Sequence, residues 1–220
     1  DSLVNLVFAF AGEFDNDFSA KDNCLSVANY CFDISVYEMF TPLVTGSRLV
    51  ILEPGSIYEP VEVVKSIVEN AITLVYIPPV LLNDVFAHLK PFTGKTSLTK
   101  LLVSVEPIRD EVMENYMAWN PSLRIVNGYG PTETTVFASA YRYVRRQPQN
   151  RNIPIGRPLA NTQTFILDRY HSFVPIGVPG EIYLGGIQVS RGYLNRPTFT
   201  ATIFLDTSKS SCGGSRGVVL

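Results

Sequence analysis

Very little in this sequence lets one residue type settle the chemistry. Only three cysteines, Cys24, Cys31 and Cys212, occur in 220 residues. An odd number cannot close a disulfide framework, so free thiols and a reducing, cytoplasmic compartment are expected. Histidine is scarcer still: His88 and His171 stand far apart with no cysteine or acid at ligand spacing, which argues against a zinc site. No apolar run approaches the roughly 18 residues of a membrane span. The apolar start, 3–11, is broken by Asn5 and stops at Gly12-Glu13, so no membrane contact is expected. Charge of one sign is missing as well, with a formal net charge of -2. The densest basic stretch, Arg142, Arg145, Arg146 and Arg151, lies among Gln147, Pro148, Gln149 and Asn150, the composition of a solvated loop. Nucleic acid is therefore excluded as a partner. Two catalytic signatures fail too. Gly94-Lys95-Thr96 ends like a phosphate-binding loop, but Leu89 stands where its first glycine is required, and no Gly-x-Ser-x-Gly elbow occurs.

What is present is a chain with 46% hydrophobic and 17% charged residues, enough to bury a large core. Up to about residue 128, short β-prone runs alternate with longer helical ones. The runs 24–28, 48–52, 74–77, 100–103 and 124–126 read as strands, and 34–44, 60–70, 80–89 and 109–119 as helices with apolar residues three or four apart. That rhythm predicts an α/β fold, a largely parallel sheet covered by helices, over 1–150. Beyond it, proline and glycine punctuate short runs at 163–167 and 181–184, which predicts a small antiparallel, barrel-like β subdomain over 151–205. Residues 206–220 are rich in serine and glycine, lack periodicity, and are expected to form an irregular tail.

Three segments could carry chemistry. In Asn127-Gly128-Tyr129-Gly130-Pro131-Thr132-Glu133, the glycines permit close approach and positive φ, and Tyr129 offers a flat face to a nucleobase. The Thr132 hydroxyl can bond a phosphate oxygen, and Glu133 can hold magnesium. The same stretch also reads as a plain turn with Tyr129 as a packing residue. In Phe32-Asp33-Ile34-Ser35, Asp33 is either a helix cap or a carboxylate suited to an ammonium group. From Gly180-Glu181 to Arg191-Gly192-Tyr193, a structural hairpin followed by a salt-bridged loop suffices.

Taken in this order, and with Pro154-Ile155-Gly156-Arg157-Pro158 between them, these motifs resemble the adenylation domains of nonribosomal peptide synthetases. That group lies within the wider adenylate-forming, AMP-binding enzymes that include acyl-CoA ligases and luciferases. The resemblance covers roughly residues 1 to 205. It implies that a parent enzyme uses ATP and magnesium to turn an amino acid into an aminoacyl adenylate. The acyl group then passes to the phosphopantetheine thiol of a carrier protein, beside the condensation domains of the same synthetase. Carried over by position, Tyr129 stacks on adenine with Asn127, Gly128 and Gly130 around it, Thr132 contacts the α-phosphate, and Glu133 binds magnesium; Thr132 and Glu133 are then the catalytic pair. Asp33 grips the substrate's amino group. Ile34, Tyr37, Val80, Leu102, Ser104, Gly128, Val136 and Phe137 line the side-chain pocket, which implies an uncharged, hydrophobic or aromatic substrate. All these groups are expected to share a single cleft.

The resemblance has gaps. Relatives commonly carry Gly-Gly-Glu where this chain has Ser104-Val105-Glu106, so Val105 adds bulk. The family's phosphate loop would lie upstream of Asp1, and its ribose-binding aspartate, hinge and small lysine-bearing C-terminal domain downstream of 205. The 220 residues alone are accordingly expected to be inactive. Two alternatives stay open: a piece of an acyl- or aryl-CoA ligase, and a degenerate, non-catalytic nucleotide-binding scaffold.

Overall fold

The computed structural model describes residues 1–53, 55–206 and 216–219. Its first element is helix α1 (Ser2–Glu13), which buries Leu6, Val7, Phe10 and Ala11. The sequence reading assigned no helix here, yet the spacing of those residues is helical and polar Asn5 lies off the buried stripe. There follow β1 (Asn23–Ser26), α2 (Ile34–Thr45), β2 (Arg48–Ile51), α3 (Pro60–Glu69), β3 (Leu74–Tyr76), α4 (Leu82–Leu89), β4 (Lys100–Ser104), α5 (Asp110–Trp119) and β5 (Arg124–Tyr129). Each of the five predicted strands and four predicted helices is present, with ends displaced by a few residues. Val80 falls in a 3-10 turn, Pro79–Leu81, ahead of α4. The main sheet is completed by β6 (Ser139–Arg142) and β7 (Arg157–Pro158), in the order β2-β1-β3-β4-β5-β6-β7. Pairings from β2 through β5 are parallel, and the last two are antiparallel.

The central strands β3 and β4 are buried at every position, as expected of parallel strands covered on both faces. One polar group among them is charged. Lys100 opens β4 with its side chain 3% exposed, and its Nζ lies 2.7 Å from Asp22 Oδ1. Asp22 also accepts hydrogen bonds from the Thr73 hydroxyl at 2.7 Å and the Ser19 amide at 2.9 Å. Burial alone would raise the Asp22 carboxyl, but Lys100, Thr73 and Ser19 together hold it below the ordinary aspartate range.

The second sheet is antiparallel, formed by β8 (Thr162–Leu167), β9 (Glu181–Gly186), β10 (Phe204–Asp206) and β11 (Arg216–Val219) in the order β10-β11-β9-β8. No pairing closes it into a barrel among the described residues. Helix α6 (Pro197–Ile203) leads into β10 and has proline in its first turn, where the missing amide costs nothing. The predicted irregular tail needs correction: Arg216–Val219 pairs with both β9 and β10, because an otherwise open edge of β9 gains ladder hydrogen bonds from it. Residues 207–215 and 220, with Cys212 among them, lie outside the described residues. Cys24 and Cys31 are free thiols, the first buried and the second exposed. No described helix is long and apolar enough to cross a membrane.

Candidate functional site

In a parallel sheet the carboxyl ends of the strands open onto the loops that lead into helices, and ligands bind there. Three such ends converge in this chain. β1 delivers the loop to Asp33, β4 ends at Ser104, and β5 runs three residues beyond its predicted end, so Asn127, Gly128 and Tyr129 are its last strand positions. Ser104 lies opposite Gly128 in the register.

Asp33 sits at the N-cap position of α2, but its carboxylate makes no capping bond. Instead its Oδ2 accepts a 2.6 Å hydrogen bond from the Thr132 hydroxyl, 99 residues away. The helix-cap reading of Asp33 thus loses its main support, and the ends of β1 and β5 are joined through two groups that sequence reasoning had assigned to different ligands. The turn behind them is held by Glu38, one turn further into α2. Its buried carboxylate accepts hydrogen bonds from the Ser26 hydroxyl at 2.9 Å, the Val27 amide at 3.2 Å and the Ala28 amide at 3.0 Å. Burial pushes this carboxyl up to about 7 against the pull of those donors.

Beyond β5, a 3-10 turn (Thr132–Thr134) carries Thr132 exposed and Glu133 half-buried. The Tyr193 hydroxyl donates to Glu133 Oε1, and the Ser190 amide donates to the Glu133 carbonyl at 2.8 Å. Tyr129 is half-buried, and burial raises its hydroxyl above the ordinary range. Asn127 is buried with its amide donating to the Pro154 carbonyl at 2.9 Å. Neither Gly128 nor Gly130 takes a positive φ; that role falls to Thr135 (φ 57°) and Val136 (φ 70°). What requires glycine is space. A Cβ on Gly128 would lie 2.6 Å from the Phe137 ring, and one on Gly130 would lie 2.6 Å from the Ala138 amide nitrogen.

Of the expected pocket lining, Ile34, Tyr37, Leu102, Ser104, Val136 and Phe137 are buried, Tyr37 and Phe137 meet ring to ring, and Gly128 lies beneath the Phe137 ring. Val80 stands apart, 73% exposed. Sequence reasoning gave no role to Glu38, Gln188 or Tyr193. Tyr193 lay inside a motif already singled out and Glu38 three residues beyond another, so an unexplained phenol and acid were the available signal. Gln188 had none. Its fully buried amide donates to the Phe137 carbonyl at 2.7 Å and to the Thr134 and Thr135 carbonyls at 3.4 Å. The loop after β9 was expected to be salt-bridged, but no ion pair holds it among the described residues. Gln188 and Tyr193 hold it instead.

Val105, directly after β4, adopts φ 82° and is 77% exposed. A β-branched residue in this region stores about 1–3 kcal/mol, of which a glycine's greater freedom in the unfolded chain takes back about 0.5–1. Val105→Gly is therefore expected to stabilise the chain by about 1 kcal/mol, read as a higher urea midpoint at an unchanged slope.

A nucleotide and magnesium fit this donor set. No group of three or more His, Cys, Asp or Glu residues gathers among the described residues, so an ion would rest on one carboxylate and on substrate phosphates. That is the usual coordination of magnesium at a nucleotide. Glu133, half-buried next to the exposed Thr132, is the carboxylate that could supply that ligand.

Residues 1–194 match the family model described as AMP-binding enzyme. The chain is 37% identical over 202 residues to malpibaldin synthetase of Mortierella alpina, covering 89% of this chain and 4% of that protein. It is 34% identical over 197 residues to zwittermicin A synthase ZmaJ of Bacillus cereus, covering 86% and 37%. With tyrocidine synthase 1 of Brevibacillus parabrevis it shares 32% identity over 195 residues, covering 88% and 17%. Among solved structures, the nonribosomal peptide synthetase FmoA3 (S1046A) in its AMPPNP-bound form superposes with a TM-score of 0.88 at 28% identity, over 99% of this chain and 23% of that one. The chain thus spans a minor part of each relative.

Proposed function

The chain belongs to the AMP-binding enzyme family, and from that premise we propose that it is an internal part of a nonribosomal peptide synthetase adenylation domain that activates an amino acid with ATP. The single observation that carries this reading is the Thr132–Asp33 hydrogen bond, which puts an acid without a cap role beside the segment suited to a nucleotide.

In this reading each side chain binds or orients. The Asp33 carboxylate pairs with the substrate's ammonium group in a cleft walled by apolar side chains, where low dielectric strengthens the pair. The Tyr129 ring offers its face to adenine, with Asn127, Gly128 and Gly130 shaping the edge of that site. The Thr132 hydroxyl, released from Asp33 when the substrate ammonium pairs with that carboxylate, donates to an α-phosphate oxygen. Glu133, oriented by the Tyr193 hydroxyl, supplies the protein ligand to magnesium. Bound magnesium supplies positive charge against the phosphates. The substrate carboxylate oxygen then forms a bond to the α-phosphorus as the bond to pyrophosphate breaks. A carrier-protein phosphopantetheine thiol takes the acyl group and releases AMP, and condensation domains of the same synthetase use the product.

The test is exchange of labelled pyrophosphate into ATP by the full-length protein. Exchange that depends on an added amino acid is the expected result. Exchange supported only by fatty or aryl acids would overturn the reading in favour of an acyl- or aryl-CoA ligase, and no exchange with any acid would favour a non-catalytic scaffold.

A further inference from the structure

The expected pocket is apolar, which by composition alone admits large apolar substrates; what fills it says otherwise. Tyr37 and Phe137 are each 1% exposed. Their rings meet edge to face at 5.7 Å between centroids. Both also pack on Phe10 from α1, itself fully buried, at 5.0 Å for Tyr37 and in a stack at 4.6 Å for Phe137. On its other side the Phe137 ring occupies the space that a Cβ of Gly128 would need. It cannot swing toward β5, and it cannot swing toward α1 without displacing another ring. Close-packed interiors do not yield such room cheaply.

Tyr37 is held in the same way. Tyr37 lies four residues from the N-cap Asp33, about 6 Å along the axis and on the same face of α2. Behind Tyr37, among Cys24, Glu38, Tyr76 and Leu102, lies a cavity of about the size of one water molecule, which, bordering neither Asp33 nor Phe137, leaves the Tyr37 ring little room to withdraw. Its single charged wall group, Glu38, already accepts three hydrogen bonds from Ser26, Val27 and Ala28, so it is not available to a cationic substrate.

We propose that the amino acid activated here has a small, uncharged side chain, that of glycine, alanine or serine, and that Tyr37 and Phe137 set this limit. The inference rests on the amino-acid-activating reading above and narrows it. With the ammonium group on Asp33, one or two heavy atoms beyond the α-carbon reach the Tyr37 ring. A leucine or phenylalanine side chain would have to displace a packed aromatic ring.

The test uses the full-length protein in pyrophosphate–ATP exchange, with glycine, alanine, serine, leucine, phenylalanine, tyrosine and lysine supplied singly. The best of the small three is expected to exceed each of the others in kcat/KM by about tenfold or more, since one methylene in a tight pocket discriminates by roughly 10- to 200-fold. Tyr37→Ala and Phe137→Ala are expected to raise the leucine-to-alanine ratio of kcat/KM by about tenfold or more. This ratio is taken within one preparation, so partial unfolding of a variant does not move it. Preference of the unaltered protein for leucine, lysine or an aromatic amino acid would overturn the inference and leave the amino-acid reading standing. An unchanged ratio in both variants would remove Tyr37 and Phe137 as the limit. Exchange with no amino acid at all would sink the underlying reading and this inference with it.

Discussion

Asp33→Ala in the full-length protein is expected to raise the KM for the amino acid about a hundredfold while leaving that for ATP nearly unchanged. Asp33 is half-buried beside Thr132. Removing it strands the substrate ammonium among apolar side chains at the low end of the cost of breaking a buried pair, ~3 kcal/mol, or about two decades in affinity. The fold should tolerate the change, because the Asp33 carboxylate makes no capping bond and its one partner, Thr132, is exposed to water. Asp33→Asn keeps the shape and removes the charge, so it should lose most of the same affinity. Equal amino-acid KM values for the two variants and the unaltered protein would mean that another group receives the ammonium.

The second large effect concerns stability. Lys100→Met leaves Asp22 charged and buried without its partner, and we expect a loss of about 3–5 kcal/mol. Urea unfolding of the 220-residue chain, followed by the fluorescence of Trp119, its single tryptophan, measures this. Exchanging both groups for apolar residues, Lys100→Met with Asp22→Leu, should recover part of the loss, because no ion is then stranded. The pair also fixes a pH dependence. The Asp22 carboxyl is depressed in the folded state, so its contribution is complete above the ordinary aspartate value of about 3.9 and disappears as pH falls through the folded value. Lys100→Met should flatten that acid limb. A steep limb persisting in the variant would assign it to other carboxylates.

How far the sequence foretold these features depends on the range of the interaction that decides each one. The parallel strands and their helices were legible because a buried strand such as Leu74–Tyr76 and an amphipathic helix such as Pro60–Glu69 carry their pattern within their own residues. The helix Ser2–Glu13 was not predicted although Leu6, Val7 and Phe10 recur at helical spacing, because nearly every position of 3–11 is apolar and the buried stripe does not stand out from the other face. Strands as short as Arg157–Pro158 have no period to read. At the site, the motifs around Asp33 and Thr132 were expected to share one cleft, and the structure brings these two side chains into hydrogen-bond contact. The glycines misled in part: Gly128 and Gly130 were credited with close approach and positive φ, but neither takes a positive φ, and packing against Phe137 and Ala138 is what excludes a side chain. Nothing local could show that Tyr193 would reach Glu133 or that Lys100 would find Asp22, since each pairing spans 60 or more residues and exists only once the sheets are assembled.

Gln188 bears on modularity. One amide, two residues past the end of β9, supplies the donor for carbonyls at Thr134, Thr135 and Phe137, and the Thr135 hydroxyl returns a bond to the Gln188 carbonyl at 2.8 Å. A chain ended anywhere between Tyr143 and Ile187 would leave those buried acceptors without a donor, at a cost of about 1–3 kcal/mol apiece for any that water cannot reach. The antiparallel sheet is therefore no detachable appendage. Shuffling it between relatives would require carrying the glutamine and the turn it braces as one exchangeable unit.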